Sequence, residues 1–195
     1  MGVEIEQNLL FDVTLHAATV LSTIVVLWSE VARLLRGLFS RRFNEEQAYV
    51  LKLLLSMIPI GIVGFTLKDR LDALLESPAI LLVVGCMLLV TAALLAFAYY
   101  AKPRQKAQLS YRDAFLIGVA QAVAALPGLS RSGSTIATGL LLGNRKQTVA
   151  QFSFLMVLAP ILGETFLELM KGNLGAQAIG SAPLAAGFVA AFVVG

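Results

Sequence analysis

Apolar positions in this chain come in long runs. The stretch 9–28 is nearly unbroken, and about 20 residues of helix rise roughly 30 Å, the thickness of a bilayer's hydrocarbon core. Similar runs cover 50–67, 78–100 and 147–170, and each predicts a membrane-spanning helix. Pro59, close to Gly61 and Gly64 in the second run, predicts a kink or a close helix packing there. Tyr99 and Tyr100 end the third run, at the level where aromatic rings favour the interface. Polar stretches at 29–47, 68–77 and 102–112 separate the runs and are expected to be loops.

The pattern then breaks. Residues 114–126 are apolar but too few to span comfortably, and they stop at Pro127-Gly128. A polar cluster follows, then a second short apolar run, 136–142, closed by Asn144-Arg145-Lys146. Two half-helices interrupted in this way predict a re-entrant element over about 112–146. Irregular backbone of that kind persists at membrane depth only where it is buried in protein or faces a water-filled cavity. A last apolar run begins at Leu184 and is only half of a span.

Composition agrees: 58% of the residues are hydrophobic and 14% charged, where a soluble domain carries about 25% charged residues. The net charge of +3 is too small to argue for nucleic acid. The one cysteine, Cys86, cannot form an internal disulfide. Placing 29–47 on the cytoplasmic side puts Arg33, Arg36, Arg41, Arg42, Lys52, Lys102, Arg104, Lys106, Arg112, Arg145 and Lys146 inside, and only Lys68, Arg70 and Lys171 outside. That is the asymmetry of a membrane protein so oriented. Residues 1–8 would then lie outside without a basic leader, so an upstream span is expected. The fold expected is all-α and polytopic: one membrane domain over 1–195, continuing beyond both ends.

The candidate chemistry sits in 127–135, PGLSRSGST. Pro127 and Gly128 end the first half-helix, and Gly133 lets backbone approach a ligand closely. A helix beginning near Ser132 to Ser134 would aim its N–H groups and positive dipole end into the loop, which makes an anion site. Arg131 adds a permanent charge with a planar fork suited to phosphate oxygens. Ser130, Ser132, Ser134 and Thr135 add hydroxyls. A charge at this depth is costly and marks function by default. The competing structural reading has Arg131 neutralising a buried glutamate while the serines cap a helix, and an anion pathway fits the same loop. Gln121, two turns upstream, would either join the site or satisfy a neighbouring helix. Glu164 and Glu168 share a helix face and could hold a divalent cation, but Glu168 is near the outer interface and is more simply solvated. His16 is more simply an interface or packing residue than a catalytic one. Asp12 is expected to be solvated.

At this loop the sequence resembles the undecaprenyl-diphosphatase, or bacitracin-resistance, family. That family carries a Pro-Gly-x-Ser-Arg-Ser-x-x-Thr signature, and every fixed position is present. LFDVTLHAATVLSTIVVLW, LLLSMIPIGIVGFTLKD, AFLIGVAQAVAALPGLSRSGSTIATGLLLG and QFSFLMVLAPILGE follow the family in order and spacing. The resemblance implies an inverted-repeat bundle in a bacterial inner membrane, with the site open to the outer face. It implies hydrolysis of undecaprenyl diphosphate to the monophosphate carrier used in cell-wall synthesis. It implies dependence on Mg2+ or Ca2+ and allows a homodimer. Arg131 would neutralise the diphosphate, Ser130 would attack or bind phosphate, and Thr135 would support them. The family's first signature, a Glu-rich helix and a Ser-Ser-x-Gly-His turn, does not occur in this sequence. Its glutamates would be the cation ligands, and neither His16 nor Glu164 and Glu168 takes its place. The 195-residue chain alone is therefore expected to be inactive. A lipid-phosphate transporter and a non-catalytic relative are the other readings.

Overall fold

The computed structural model describes residues 9–40, 42–101, 106, 108–170 and 181–194, with side chains placed except at 9–13, 68, 159, 164–170 and 181. The side chains of Asp12, Glu164 and Glu168, and the basic residues Arg41, Lys102, Arg104 and Lys171, lie outside that set. Among the described residues the order is α1 (Leu9–Val26), α2 (Trp28–Leu38), α3 (Glu45–Thr66), α4 (Lys68–Leu75), α5 (Ile80–Tyr100), α6 (Tyr111–Val123), α7 (Arg131–Leu141), α8 (Lys146–Met170) and α9 (Ser181–Val194). The regular structure is helical throughout, as the runs of apolar residues predict.

The chain forms two compact units. In the first, Met1–Leu35 with Val157–Gly195, α1 packs on α9. In the second, Arg36–Met156, α3 packs on α6, α6 on α7, and α5 on α7. The core of the second unit holds Ile117, Val149, Phe152 and Met156, all fully buried, with the Phe152 ring edge-on to Tyr49 at 5.7 Å.

Helices α3 and α5, with 22 and 21 residues, are long and apolar enough to cross a membrane. Their surfaces are also left open: no residue of α5 is buried, and Leu81, Leu82 and Leu89 are at least 72% exposed. A soluble protein rarely exposes so continuous an apolar face, whereas lipid tails cover it without cost. The chain is a helical membrane protein.

Two stretches expected to be loops are helices instead. Within 29–47, α2 forms because Trp28, Leu35 and Leu38 fall on one face and Ser29, Arg33 and Arg36 on the other. Density of charge favours a loop, yet the charges keep a helical period. Within 68–77, α4 has Asp69 in its first turn, where the helix dipole favours a carboxylate, and α4 packs on α3. Helix α3 also starts earlier than expected. Asn44 caps it by accepting the Gln47 N–H at 2.8 Å, and Glu45 and Glu46 follow in the first turn.

The close packing expected at Gly61 and Gly64 lies elsewhere. A Cβ at either would meet nothing within 4 Å, but one at Gly118 of α6 would sit 2.3 Å from the Ser56 carbonyl of α3. Glycine at 118 is what lets α3 and α6 touch backbone to backbone.

Candidate functional site: the loop between α6 and α7

Helices α6 and α7 form a hairpin. Their 13 and 11 residues give lengths of about 20 and about 16 Å, so the chain returns close to the level it left. The hydrogen bonds record this return. The Lys106 N–H donates to the Gly143 carbonyl at 3.3 Å, and the Arg145 N–H donates to the Lys106 carbonyl at 3.1 Å. Entry and exit of the hairpin are thus stitched together.

A polar cluster around the buried Asp113 reinforces the stitch. Ser110 and Asp113 form a capping box at the start of α6, and the Lys106 ammonium pairs with the Asp113 carboxylate. Burial of that carboxylate favours its protonated form. Lys106, the Ser110 N–H and hydroxyl, and the Asn144 side chain outweigh burial and hold Asp113 below the ordinary carboxylate range. Asp113 sits at the mouth of the hairpin, outside the spans, and remains an anion there at neutral pH.

The opposite end holds the turn. Gly128 has φ of 89°, a left-handed conformation that costs an L side chain roughly 1–2 kcal/mol. A Cβ there would also lie 2.7 Å from the Val84 carbonyl oxygen of α5. The turn is therefore seated directly on the α5 backbone. Thr91, also on α5, fixes it twice: its hydroxyl donates to the Gly128 carbonyl at 3.1 Å and accepts the Ser130 N–H at 2.9 Å.

The sequence does not single out Thr91, although it is the one aliphatic hydroxyl in ILLVVGCMLLVTAALLAFAYY, and an isolated polar group in an apolar span is itself a signal. Thr91→Val, which removes both bonds while keeping shape, leaves a loop N–H and a carbonyl without a protein partner. It is expected to destabilise the protein by about 1–2 kcal/mol, read as a lower melting temperature of helicity in detergent. Thr91→Ser should restore stability; an unchanged melting temperature in Thr91→Val would remove the role of Thr91 in seating the turn.

Helix α7 begins at Arg131, one residue before the expected start. Ser130 is the N-cap: its Oγ accepts the Gly133 N–H at 3.1 Å. A serine oxygen has two lone pairs and one proton, so capping leaves Oγ able to accept again and to donate. The same N–H stabilises negative charge that develops on Oγ. Arg131 is exposed at the first helical position and Ser132 is exposed beside it. Both stand at the positive end of the α7 dipole.

The other predicted ligands face elsewhere. Ser134 is 5% exposed and its hydroxyl donates to the Ser130 carbonyl at 2.8 Å. Thr135 is fully buried, with Oγ1 3.0 Å from the Arg131 carbonyl, 3.1 Å from that of Ser132 and 2.6 Å from the Ser153 hydroxyl of α8. Hydroxyls in a first helical turn fold back onto nearby carbonyls, so Ser134 and Thr135 hold the helix that presents Ser130 and Arg131. Gly133 is buried, with its N–H spent on the cap. Gln121 is 1% exposed, and its Oε1 has no hydrogen-bond partner among the described residues. His16 is exposed on α1 and Cys86 on α5. Among the described residues no three His, Cys, Asp or Glu side chains gather to hold a metal ion, so these residues do not by themselves fit a Mg2+ or Ca2+ site.

Beside the loop lies an apolar groove of about 440 Å³. Pro59, Ile62 and Val63 of α3, Leu67 and Leu71, and Val119, Ala122, Val123, Ala125 and Leu126 form its walls. Leu126 directly precedes Pro127, so the groove wall ends where the turn begins.

The chain is similar to known proteins along its whole length. A family model described as bacitracin resistance protein BacA matches residues 1–195. The chain is 60% identical over 197 residues to an undecaprenyl-diphosphatase of Parabacteroides distasonis, covering 100% of this chain and 73% of that protein. An undecaprenyl-diphosphatase of Bacteroides fragilis is 59% identical over the same shares. One from Methanosphaera stadtmanae is 32% identical over 98% of the chain and 74% of the relative. The chain therefore belongs to the bacitracin resistance protein BacA family.

Proposed function

We propose that this protein is a membrane phosphatase that removes the terminal phosphate of undecaprenyl diphosphate, releasing undecaprenyl phosphate and inorganic phosphate. The observation that carries the reading is the turn itself: Ser130 and Arg131 stand at a helix N-terminus, locked to α5 by Thr91, next to an apolar groove. The headgroup requires charge neutralisation, which Arg131 and the α7 dipole supply. The polyprenyl chain requires an apolar surface, and the groove walls from Pro59 to Leu126 offer one that ends one residue before Pro127.

In this reading Ser130 Oγ attacks the terminal phosphorus in line. A P–O bond forms to the serine as the bridging P–O bond breaks, and undecaprenyl phosphate leaves with the hydroxyl proton on its freed oxygen. Water then hydrolyses the phosphoserine, returning the serine and releasing phosphate. Ser134, Thr135 and Ser153 keep α7 in place. Dependence on a divalent cation belongs to the same proposal, with the ion's ligands outside the described residues. The membrane is the bacterial inner membrane, and the turn opens to its outer side. The basic residues at 33–52 and at 106, 112, 145 and 146 support that orientation.

Binding is the first test. The purified chain is expected to bind polyprenyl diphosphate more tightly than the monophosphate, and the monophosphate more tightly than the alcohol. Equal binding of all three would overturn the reading. In any preparation that releases phosphate, Ser130→Ala should abolish release while keeping diphosphate binding within about threefold. That variant loses a helix cap worth about 1 kcal/mol, so its helix content is measured alongside. Release that survives the substitution would leave Ser130 a ligand only.

A further inference from the structure

We propose that α2 is an in-plane anchor that docks on the anionic phospholipid headgroups at one bilayer surface. The inference is independent of the catalytic reading and rests on a different part of the chain. Helix α1 runs as an apolar rod to Val26, and α2 then leaves at 83° to it. Backbone hydrogen bonding continues across the bend, with Leu27 N–H to the Thr23 carbonyl and Val31 N–H to the Leu27 carbonyl, both at 2.9 Å. A helix perpendicular to a membrane-crossing rod lies along the membrane surface.

The two sides of α2 differ as such a position demands. At 100° per residue, Trp28, Leu35, Leu38 and the following Phe39 share one side, and Ser29, Arg33, Arg36 and Ser40 share the other. The apolar side is open: Trp28 is 61% exposed and Phe39 84%. Leu34, at the margin of that side, is buried. On the polar side Arg33 is paired with Glu30 at 2.7 Å and stays 55% exposed; Arg36 is exposed as well, and so is Arg42 just beyond the helix. An apolar side that seats among acyl chains beside arginines that meet headgroups is the pattern of an interfacial helix. Within α2 itself Arg33 and Arg36 outnumber the single acid Glu30, and that one positive charge favours anionic headgroups over zwitterionic ones; Glu46 lies against Gly37 near the end of the helix.

The chain has one tryptophan, and Trp28 lies on the docking side, so its fluorescence reads this contact alone. The full chain is reconstituted in phosphatidylcholine vesicles with and without phosphatidylglycerol, using lipids brominated high on the acyl chain. We expect Trp28 emission to be blue-shifted and quenched by the bromines, with quenching stronger when phosphatidylglycerol is present. Arg33→Gln with Arg36→Gln should abolish the difference between the two membranes. Each arginine is expected to change the ratio of docked to free helix about fivefold. Both side chains are exposed, so helix content should not change. Three results would overturn the proposal. Quenching independent of phosphatidylglycerol would reduce Trp28 to the aromatic end of a span. Blue-shifted emission that bromines do not quench would place Trp28 against protein, whether a second copy or another segment. Red-shifted, unquenched emission would place it in water.

Discussion

Replacing Arg131 by alanine is expected to weaken binding of polyprenyl diphosphate about ten- to thirtyfold. Hydrogen bonds to a charged partner contribute about 1.5–3 kcal/mol. Arg131 is exposed at the first position of α7, so the lower part of that range applies, about 1.5–2 kcal/mol. The α7 dipole and the Ser130 hydroxyl remain in the variant, which is why binding weakens and does not vanish. Arg131→Lys should fall between the two, because an ammonium keeps the charge but loses the planar fork. The measurement is a titration of the purified protein with the lipid, repeated at raised salt to separate charge from fork. Affinity unchanged within twofold in Arg131→Ala would show that this arginine does not hold the phosphate. Where phosphate release is observed it should fall by more than binding does, since charge at the transferring group is greatest in the transition state.

The second large effect concerns the turn's backbone. Gly128→Ala is expected to destabilise the protein by about 3 kcal/mol, from roughly 1–2 kcal/mol of backbone strain and a similar overpacking cost. The structural causes are separate. The φ of 89° is unfavourable for any L side chain. The new Cβ would lie 2.7 Å from the Val84 carbonyl oxygen and 3.0 Å from the Val84 Cα, neither of which can rotate aside. Relief requires the turn to lift from α5, which would also pull Gly128 and Ser130 off Thr91. Thermal melting of helicity in detergent should therefore shift down together with loss of diphosphate binding. Gly61→Ala is the matched control, because a Cβ there meets nothing within 4 Å and the site is inside α3; it should be no less stable than the parent and up to about 1 kcal/mol more so. Equal behaviour of the two variants would show that the turn is not seated as described.

Much of the fold is legible in the chain because a bilayer imposes one simple rule. A segment crossing it must be long, apolar and internally hydrogen-bonded, so 50–67 and 78–100 could be recognised as α3 and α5 from content alone. The break at Pro127-Gly128 is equally local: proline removes a donor, and glycine takes a φ other residues avoid. Counting charge was a poor guide where helices lie outside the spans. In α2 and α4 the charges Arg33, Arg36, Lys68 and Asp69 raise polarity to the level of a loop; in α2 the period-3.6 separation of Arg33 and Arg36 from Leu35 and Leu38 carries the helical signal, and in α4 Lys68 and Leu71 share a face, so packing on α3 decides.

At the site, the residue types and their order predict an anion-binding turn with Ser130 and Arg131 at its centre. Sequence spacing alone also fixed that the two half-helices are too short to cross. Only the tertiary structure decided which hydroxyls face the turn and which serve the scaffold. Ser134 and Thr135 stand in the same motif as Ser130, yet burial against α8 turns Thr135 toward Ser153, 18 residues away. Thr91 lies 39 residues before the N–H it accepts, and Gly118 owes its necessity to the Ser56 carbonyl on another helix. The physical reason is common to all three. Local sequence sets which conformations and faces a segment prefers, but a polar group's partner is whatever packing brings within 3 Å. That depends on the whole arrangement of α3, α5, α6, α7 and the start of α8.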